Sequence, residues 1–107
     1  MDGMSVPAID ISPDEWVMIR DIRKRHVPHL EVWAFGSRVR GGARKYSDLD
    51  LAIITATPLS WTQSGALKED FSESDRPFRV DILDWANTDE SFRSVVERNK
   101  VVIQRPA

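Results

Sequence analysis

At 107 residues, the chain is the size of one small domain spanning 1–107, long enough to bury roughly 65% of the surface its unfolded form would expose. A hydrophobic share of 41% and a charged share of 30% are ordinary for a soluble globular protein, and no apolar run approaches the ~20 residues of a membrane span. The absence of cysteine excludes disulfides and thiolate metal sites, and a net charge of −2 argues against a domain that holds nucleic acid chiefly through its phosphates. The opening "MDGMSVPAIDISPDE" has neither a basic start nor an apolar core, so no secretory signal is expected and the expected compartment is the cytoplasm.

In chain order, residues 1–11 read as a loose arm or a short edge segment. "SPDE", Ser12 to Glu15, has the form of a capping box with proline at the first helical position. A helix is predicted from there to about Arg25, with Trp16, Ile19 and Ile22 on a buried face. Arg20, Arg23, Lys24 and Arg25 are expected on a solvated one, and cations near the C-terminus suit the negative pole of the helix. Pro28 closes the helix, and His26 and His29 beside it read as loop residues, not metal ligands.

"LEVWAF", Leu30 to Phe35, is a strand apolar on both faces, and "DLDLAIIT", Asp48 to Thr55, is a second. "PLSWTQSGALKEDF" predicts a helix with Ser60 and Gln63 in capping positions and Leu67 and Phe71 inward. "FRVDILDW", Phe78 to Trp85, alternates as a third strand, with Phe78, Val80 and Ile82 on one face and Arg79, Asp81 and Leu83 on the other. "TDESFRSVVERN" predicts a last helix with Phe92, Val95 and Val96 inward, and a short apolar tail, "VVIQ", follows. The expected fold class is α/β in the α+β sense: a small mixed sheet of three to four strands flanked by helices. Trp16, Trp33, Trp61 and Trp85 are many for this length, most of them expected in the core and one or two in an apolar patch for a partner.

The chemistry concentrates between the first two strands, in "FGSRVRGGARKYSDLDLAII". Asp48 and Asp50 stand at i and i+2 where a strand begins, so both carboxylates leave one face with Cα atoms roughly 6.6 Å apart. Two ionised carboxylates that close repel each other unless a cation lies between them. Asp81 interrupts the third strand in the same way and joins them if that strand pairs beside the second; Asp84 falls on the opposite face. Three converging oxygen ligands suit Mg²⁺, and a pair of such ions stabilises both oxygens of an in-line displacement at phosphorus.

The loop supplies positive charge. Gly36 and Ser37 follow a strand directly, where glycine lets the backbone approach a ligand and Ser37 offers a hydroxyl and an N–H. Arg38, Arg40, Arg44 and Lys45 then add four cations with no acid among them, a match for a triphosphate. Tyr46, beside the carboxylates, reads as a loop anchor.

"GSRVRGGARKYSDLDL", Gly36 to Leu51, resembles the signature of the minimal nucleotidyltransferases of the DNA polymerase beta-like superfamily. Gly36, Ser37, Arg40, Gly41, Ser47, Asp48 and Asp50 fall where that pattern wants them, and "VDILDW" resembles the strand that carries the third carboxylate, Asp81. The resemblance implies a polymerase beta palm-like fold and Mg²⁺-dependent transfer of AMP from ATP to a hydroxyl, with two ions expected. Asp48, Asp50 and Asp81 would be catalytic and metal-binding, Asp81 also serving the acceptor hydroxyl. Gly36 and Ser37 would grip the phosphates, and Arg38 and Arg40 would neutralise their charge. Family members this short often pair with a HEPN-domain protein, as antitoxin to a HEPN ribonuclease toxin.

Size points the same way. Only 26 residues follow Asp81, so the acceptor is expected to be held by another chain, in a hetero-oligomer or a homodimer. Two other readings accompany this one: an antitoxin that acts by contact alone, and a small-molecule nucleotidyltransferase, against which the short C-terminal segment speaks.

Overall fold

The computed structural model describes residues 9–44, 47–74 and 78–106. The 1–8 part of the expected arm, and Lys45 and Tyr46 of the cation-rich loop, lie outside the described residues. Helix α1 spans Pro13–His26, and its start is the expected capping box. The Ser12 hydroxyl accepts the Glu15 N–H at 3.2 Å, while the Glu15 carboxylate accepts the Ser12 N–H at 2.9 Å. Strand β1 (Glu31–Phe35), the one-turn helix α2 (Ser37–Arg40), strand β2 (Leu49–Ile54) and helix α3 (Trp61–Glu73) follow. Ser60 caps α3 through the Gln63 N–H. Strand β3 (Val80–Asp84), a 3-10 turn (Trp85–Asn87), helix α4 (Glu90–Asn99) and strand β4 (Val101–Gln104) complete the order.

The sheet runs β3-β2-β1-β4. β1 pairs antiparallel with both β2 and β4, whereas β2 and β3 are parallel and joined by the α3 crossover. Alternation along the strands separates two faces. Val32, Ala34, Leu49, Leu51, Ile53 and Val80 pack against Ile19 and Ile22 of α1 and Leu67 and Phe71 of α3. Trp33, Ala52 and Leu83 face the other way and meet Val96 of α4. Asp50 and Asp81 lie on this second face, at the strand ends that α4 leaves uncovered.

Expectations for three parts of the chain are corrected. Arg23 is only 1% exposed. Seven residues on from Trp16 and four on from Ile19, it falls on the buried stripe of α1. Its guanidinium reaches β4, donating to the Ile103 carbonyl and the Gln104 side chain at 3.0 Å each, and stacks 4.7 Å from the Trp16 ring. Burial, and then the nearby Arg20, lower its pKa to about 10. Phe92 and Val95, expected inward beside Val96, are substantially exposed, and of the three only Val96 is buried. His26 is the last residue of α1 rather than a loop residue, with Nε2 2.9 Å from the Asp70 carboxylate. Of the tryptophans, Trp16 and Trp33 are buried and Trp85 lies edge-on to Trp33 at 4.9 Å, whereas Trp61 is 95% exposed.

Candidate active site

The parallel register of β2 and β3 sets Asp50 directly beside Asp81, and the antiparallel register of β1 and β2 sets Phe35 on the other side of Asp50. Asp48 precedes β2 on the same face. Three carboxylates therefore share one strand end, the condition for it, pairing of β3 beside β2, being met. Burial first, then the charges of Asp81 and Asp48, push Asp50 up to about 6, with Arg40 opposing. Asp81 is raised too, by burial and then by Asp48. Arg79 stands outside the trio, with its guanidinium 3.3 Å from the Asp48 carboxylate and 3.5 Å from that of Asp81. In this conformation no three acidic or imidazole groups among the described residues close on one metal position. The donor set nevertheless fits a hard cation: all oxygen, mutually repelling, and with two members already leaning on a cation.

Asp84, the other acid of β3, takes no part. Its carboxylate accepts the Leu59 N–H at 2.8 Å and the Thr55 hydroxyl, on the far end of the strand.

Gly36 ends β1 with φ +87° and ψ −160°, a conformation open essentially to glycine alone. A Cβ there would lie 2.2 Å from Oδ2 of Asp50. The glycine thus makes room for the Asp50 carboxylate itself, a reason beyond the approach of backbone to ligand. Its carbonyl accepts the N–H groups of Val39 and Arg40 at 3.0 Å, closing α2, and Gly41 stops that helix with φ +100°. Ser37 is the first residue of α2, where leading amides have no acceptor within the helix.

The two arginines of α2 divide. Arg38, expected at the phosphates, is 6% exposed and turned inward. It donates to the carbonyls of Ser47 (2.9 Å), Asp10 (2.7 Å) and Arg44 (3.3 Å), and lies over the Phe78 ring. It organises the loop from beneath. Arg40 is exposed and borders Asp50. Ser47 closes the loop: its hydroxyl accepts the Arg44 N–H at 2.8 Å, and its own N–H donates to the Arg44 carbonyl at 3.0 Å.

Beside Asp50 opens a cleft of about 200 Å³, lined by Phe35, Gly36, Arg40, Asp50, Phe92, Val95 and Asn99. Phe35 and Phe92 meet edge to face at 6.0 Å. Sequence reasoning missed Phe92, Val95 and Asn99 as site residues, although their 3- and 4-residue spacing puts them on one stripe of α4. Arg79 was missed as well, although it stands two residues before Asp81 on the same face.

A mixed sheet with a glycine–serine turn after one strand and three carboxylates at the ends of the next two is the frame of a nucleotidyltransferase, and the chain belongs to the family described as Polymerase beta, Nucleotidyltransferase, whose model matches residues 18–106. It is 53% identical over 100 residues to the probable protein adenylyltransferase MntA of Haemophilus influenzae, covering 94% of this chain and 88% of that protein. In fold it is similar to a toxin–antitoxin crystallised with AMP-PNP (TM-score 0.67, 21% identity, 84% of this chain and 73% of that one). It is also similar to the complex of a tri-AMPylated HEPN toxin with an MNT antitoxin from Shewanella oneidensis (TM-score 0.61, 22% identity, 84% and 69%). No helix among the described residues is long and apolar enough to cross a membrane.

Proposed function

We propose that the protein transfers AMP from ATP to a hydroxyl of a HEPN-domain toxin and neutralises it, acting as the antitoxin of the pair. The observation that carries this reading is the register of Asp50 with Asp81 beside a glycine whose missing Cβ leaves room for the Asp50 carboxylate. The 53% identity to a probable protein adenylyltransferase supports a protein as acceptor. Asp48, Asp50 and Asp81 would hold Mg²⁺, with two ions expected; when bound, it would neutralise charge on the phosphates and on the departing pyrophosphate.

The chain's own residues supply the rest. The Gly36–Ser37 backbone and the Ser37 hydroxyl hold the terminal phosphates, with Arg40 neutralising them from the exposed side. Arg38 contributes indirectly, by fixing the loop that presents Gly36 and Ser37. Asp81 orients the acceptor hydroxyl and takes its proton. The acceptor oxygen forms a bond to the α-phosphorus as the bond from that phosphorus to the bridging oxygen breaks, and pyrophosphate leaves. Beyond that one proton transfer, the scheme requires of the chain only positioning and charge.

The test incubates the protein with α-labelled ATP, Mg²⁺ and a lysate of the source cells, beside the Asp48→Asn, Asp50→Asn double variant. Label on one protein band, only with the native protein, is the expected result. Label in small soluble products would move the acceptor to a small molecule. No transfer, with both forms still capturing the same partner, would leave an antitoxin that acts by contact.

A further inference from the structure

The cleft beside Asp50 has two unlike walls. One carries Gly36, Arg40 and Asp50, the phosphate and carboxylate side of the site; the other carries Phe35, Phe92, Val95 and Asn99. Phe92 and Val95 are large apolar side chains left substantially open to solvent on a helix whose next residue, Val96, is fully buried. Phe92 is held by its edge-to-face contact with Phe35. Asn99 ends the same stripe of α4, placing one amide at the rim of an aromatic and aliphatic wall.

Resting on the nucleotidyl-transfer reading above, we infer that this cleft seats the base of the nucleotide and that Asn99 makes it select adenine. Size limits the occupant. About 200 Å³ lies below the roughly 300–1,000 Å³ of sites for drug-sized ligands, and admits one ring system rather than a folded acceptor segment. Position excludes the acceptor in a second way. Asp81, which serves the acceptor hydroxyl, is not part of the cleft; it stands on β3, across Asp50 from Phe35 on β1. The acceptor therefore approaches from the β3 side, and the β1–α4 side is left for the rest of the nucleotide. With phosphates along Gly36 and Arg40, the base lies against Phe92 and Val95. Aromatic stacking accepts any base, so Phe92 supplies affinity without choice. Choice comes from the amide. A carboxamide presents an acceptor and a donor side by side, matching the N6 amino donor and the adjacent ring-nitrogen acceptor of adenine. Guanine offers O6 and N7, both acceptors, on the corresponding edge, and the amide oxygen of Asn99 would face one of them unpaired.

The test is calorimetric titration of ATP, GTP and inorganic tripolyphosphate, each with Mg²⁺, into the native protein and the variants Asn99→Ala and Phe92→Ala, with thermal melts to show that both variants fold. The native protein should prefer ATP to GTP by about tenfold or more, the cost of one mismatched bidentate pair. Asn99→Ala should bring the two within about threefold. Phe92→Ala should weaken both by about tenfold, and neither change should move tripolyphosphate. If ATP binds and labels the partner but the ATP:GTP ratio and affinity are unmoved by both substitutions, the base lies elsewhere; this inference fails while the transfer reading stands. If the native protein binds neither ATP nor tripolyphosphate, both fail. Loss of partner capture by Phe92→Ala with ATP affinity intact would make the stripe a protein contact and overturn the assignment.

Discussion

Strand β3 carries two aspartates three residues apart, and its two ends treat them in opposite ways. At the far end, Asp84 is fully employed: it accepts the Thr55 hydroxyl and the Leu59 N–H, and Thr55 in turn accepts the Ala86 N–H at 3.0 Å. That carboxylate ties the end of β2 to the approach of α3 and to the turn after β3. At the near end, Asp81 faces Asp50 and Asp48, and the charge is offset from outside by the exposed Arg79 and, at Asp50, by Arg40. One end of the sheet uses a carboxylate to hold the fold, whereas the other accumulates three whose repulsion works against it. A strand that employs its carboxylate fully at one end and leaves a charge conflict at the other marks the second end as functional.

The near end is broken most completely at Gly36. In Gly36→Ala, the new Cβ would meet Oδ2 of Asp50 at 2.2 Å, on a backbone that side chains rarely adopt. The carboxylate, being the mobile partner, should swing away from the place proposed for it beside Asp48 and Asp81. The expected outcome is a loss of label transfer of about 100-fold, since small misplacements at a reacting centre cost that much. Strain of about 1–3 kcal/mol should lower stability as well. A crystal structure of the variant with Asp50 undisturbed, or transfer within threefold of native, would remove Gly36 from this role.

The far end should respond in the reverse sense. Asp84→Ala strands the Leu59 N–H and the Thr55 hydroxyl in a half-buried setting, at a cost of about 2 kcal/mol. For a chain of this size, that lowers Tm by roughly 10 °C. Transfer per folded molecule, assayed well below the melting point, should stay within about twofold of native. A variant that melts normally but fails to transfer would make Asp84 part of the chemistry and erase the contrast between the two ends.

How much of this was legible depended on what periodicity can and cannot say. The i, i+2 aspartates and the glycine–serine turn located the site, because strand alternation is a local geometry that register then completes. The capping residues and apolar stripes located the elements. Arg23 and Arg38 were misjudged by their charge. Each has a stem long enough to lie in a core while its head reaches backbone carbonyls beyond its own element, in β4 for Arg23 and at Asp10, Arg44 and Ser47 for Arg38. Phe92 and Val95 were misjudged by their apolarity. A helical stripe tells which side chains point together but not how far the neighbouring sheet extends beneath them, and at the cleft Phe92 and Val95 are left open to solvent. Such coverage belongs to tertiary structure, so the carboxylates were readable and the wall opposite them was not.

The smallest effect tests the repulsion itself, through pH and without added metal. Asp50 titrates near 6 in the folded chain against 3.8 for the ordinary side chain, so between those values the native state binds more protons than the unfolded one. Stability should therefore fall as pH rises from about 4 to about 6 and level off above, the sign set by ν_U below ν_N. A two-unit shift corresponds to about 3 kcal/mol for a fully buried group; for a half-exposed carboxylate, solvent screening leaves on the order of 1–2 kcal/mol. Asp81, raised for the same reasons, adds in the same direction. Asp70 runs oppositely, held low by its hydrogen bond to His26 and then by Arg25, so its contribution is present above the ordinary carboxylate range and is lost as pH falls through its lower folded value. Its window lies below that of Asp50, and the two can be separated in one series of melts. Asp50→Asn should flatten the slope between pH 4 and 6 and raise Tm at pH 7, while Mg²⁺ should raise Tm at pH 7 in the native protein and do so less in the variant. An unchanged slope in Asp50→Asn would mean that the near end is as well satisfied as the far one, and that the carboxylates meet no conflict for a metal to relieve.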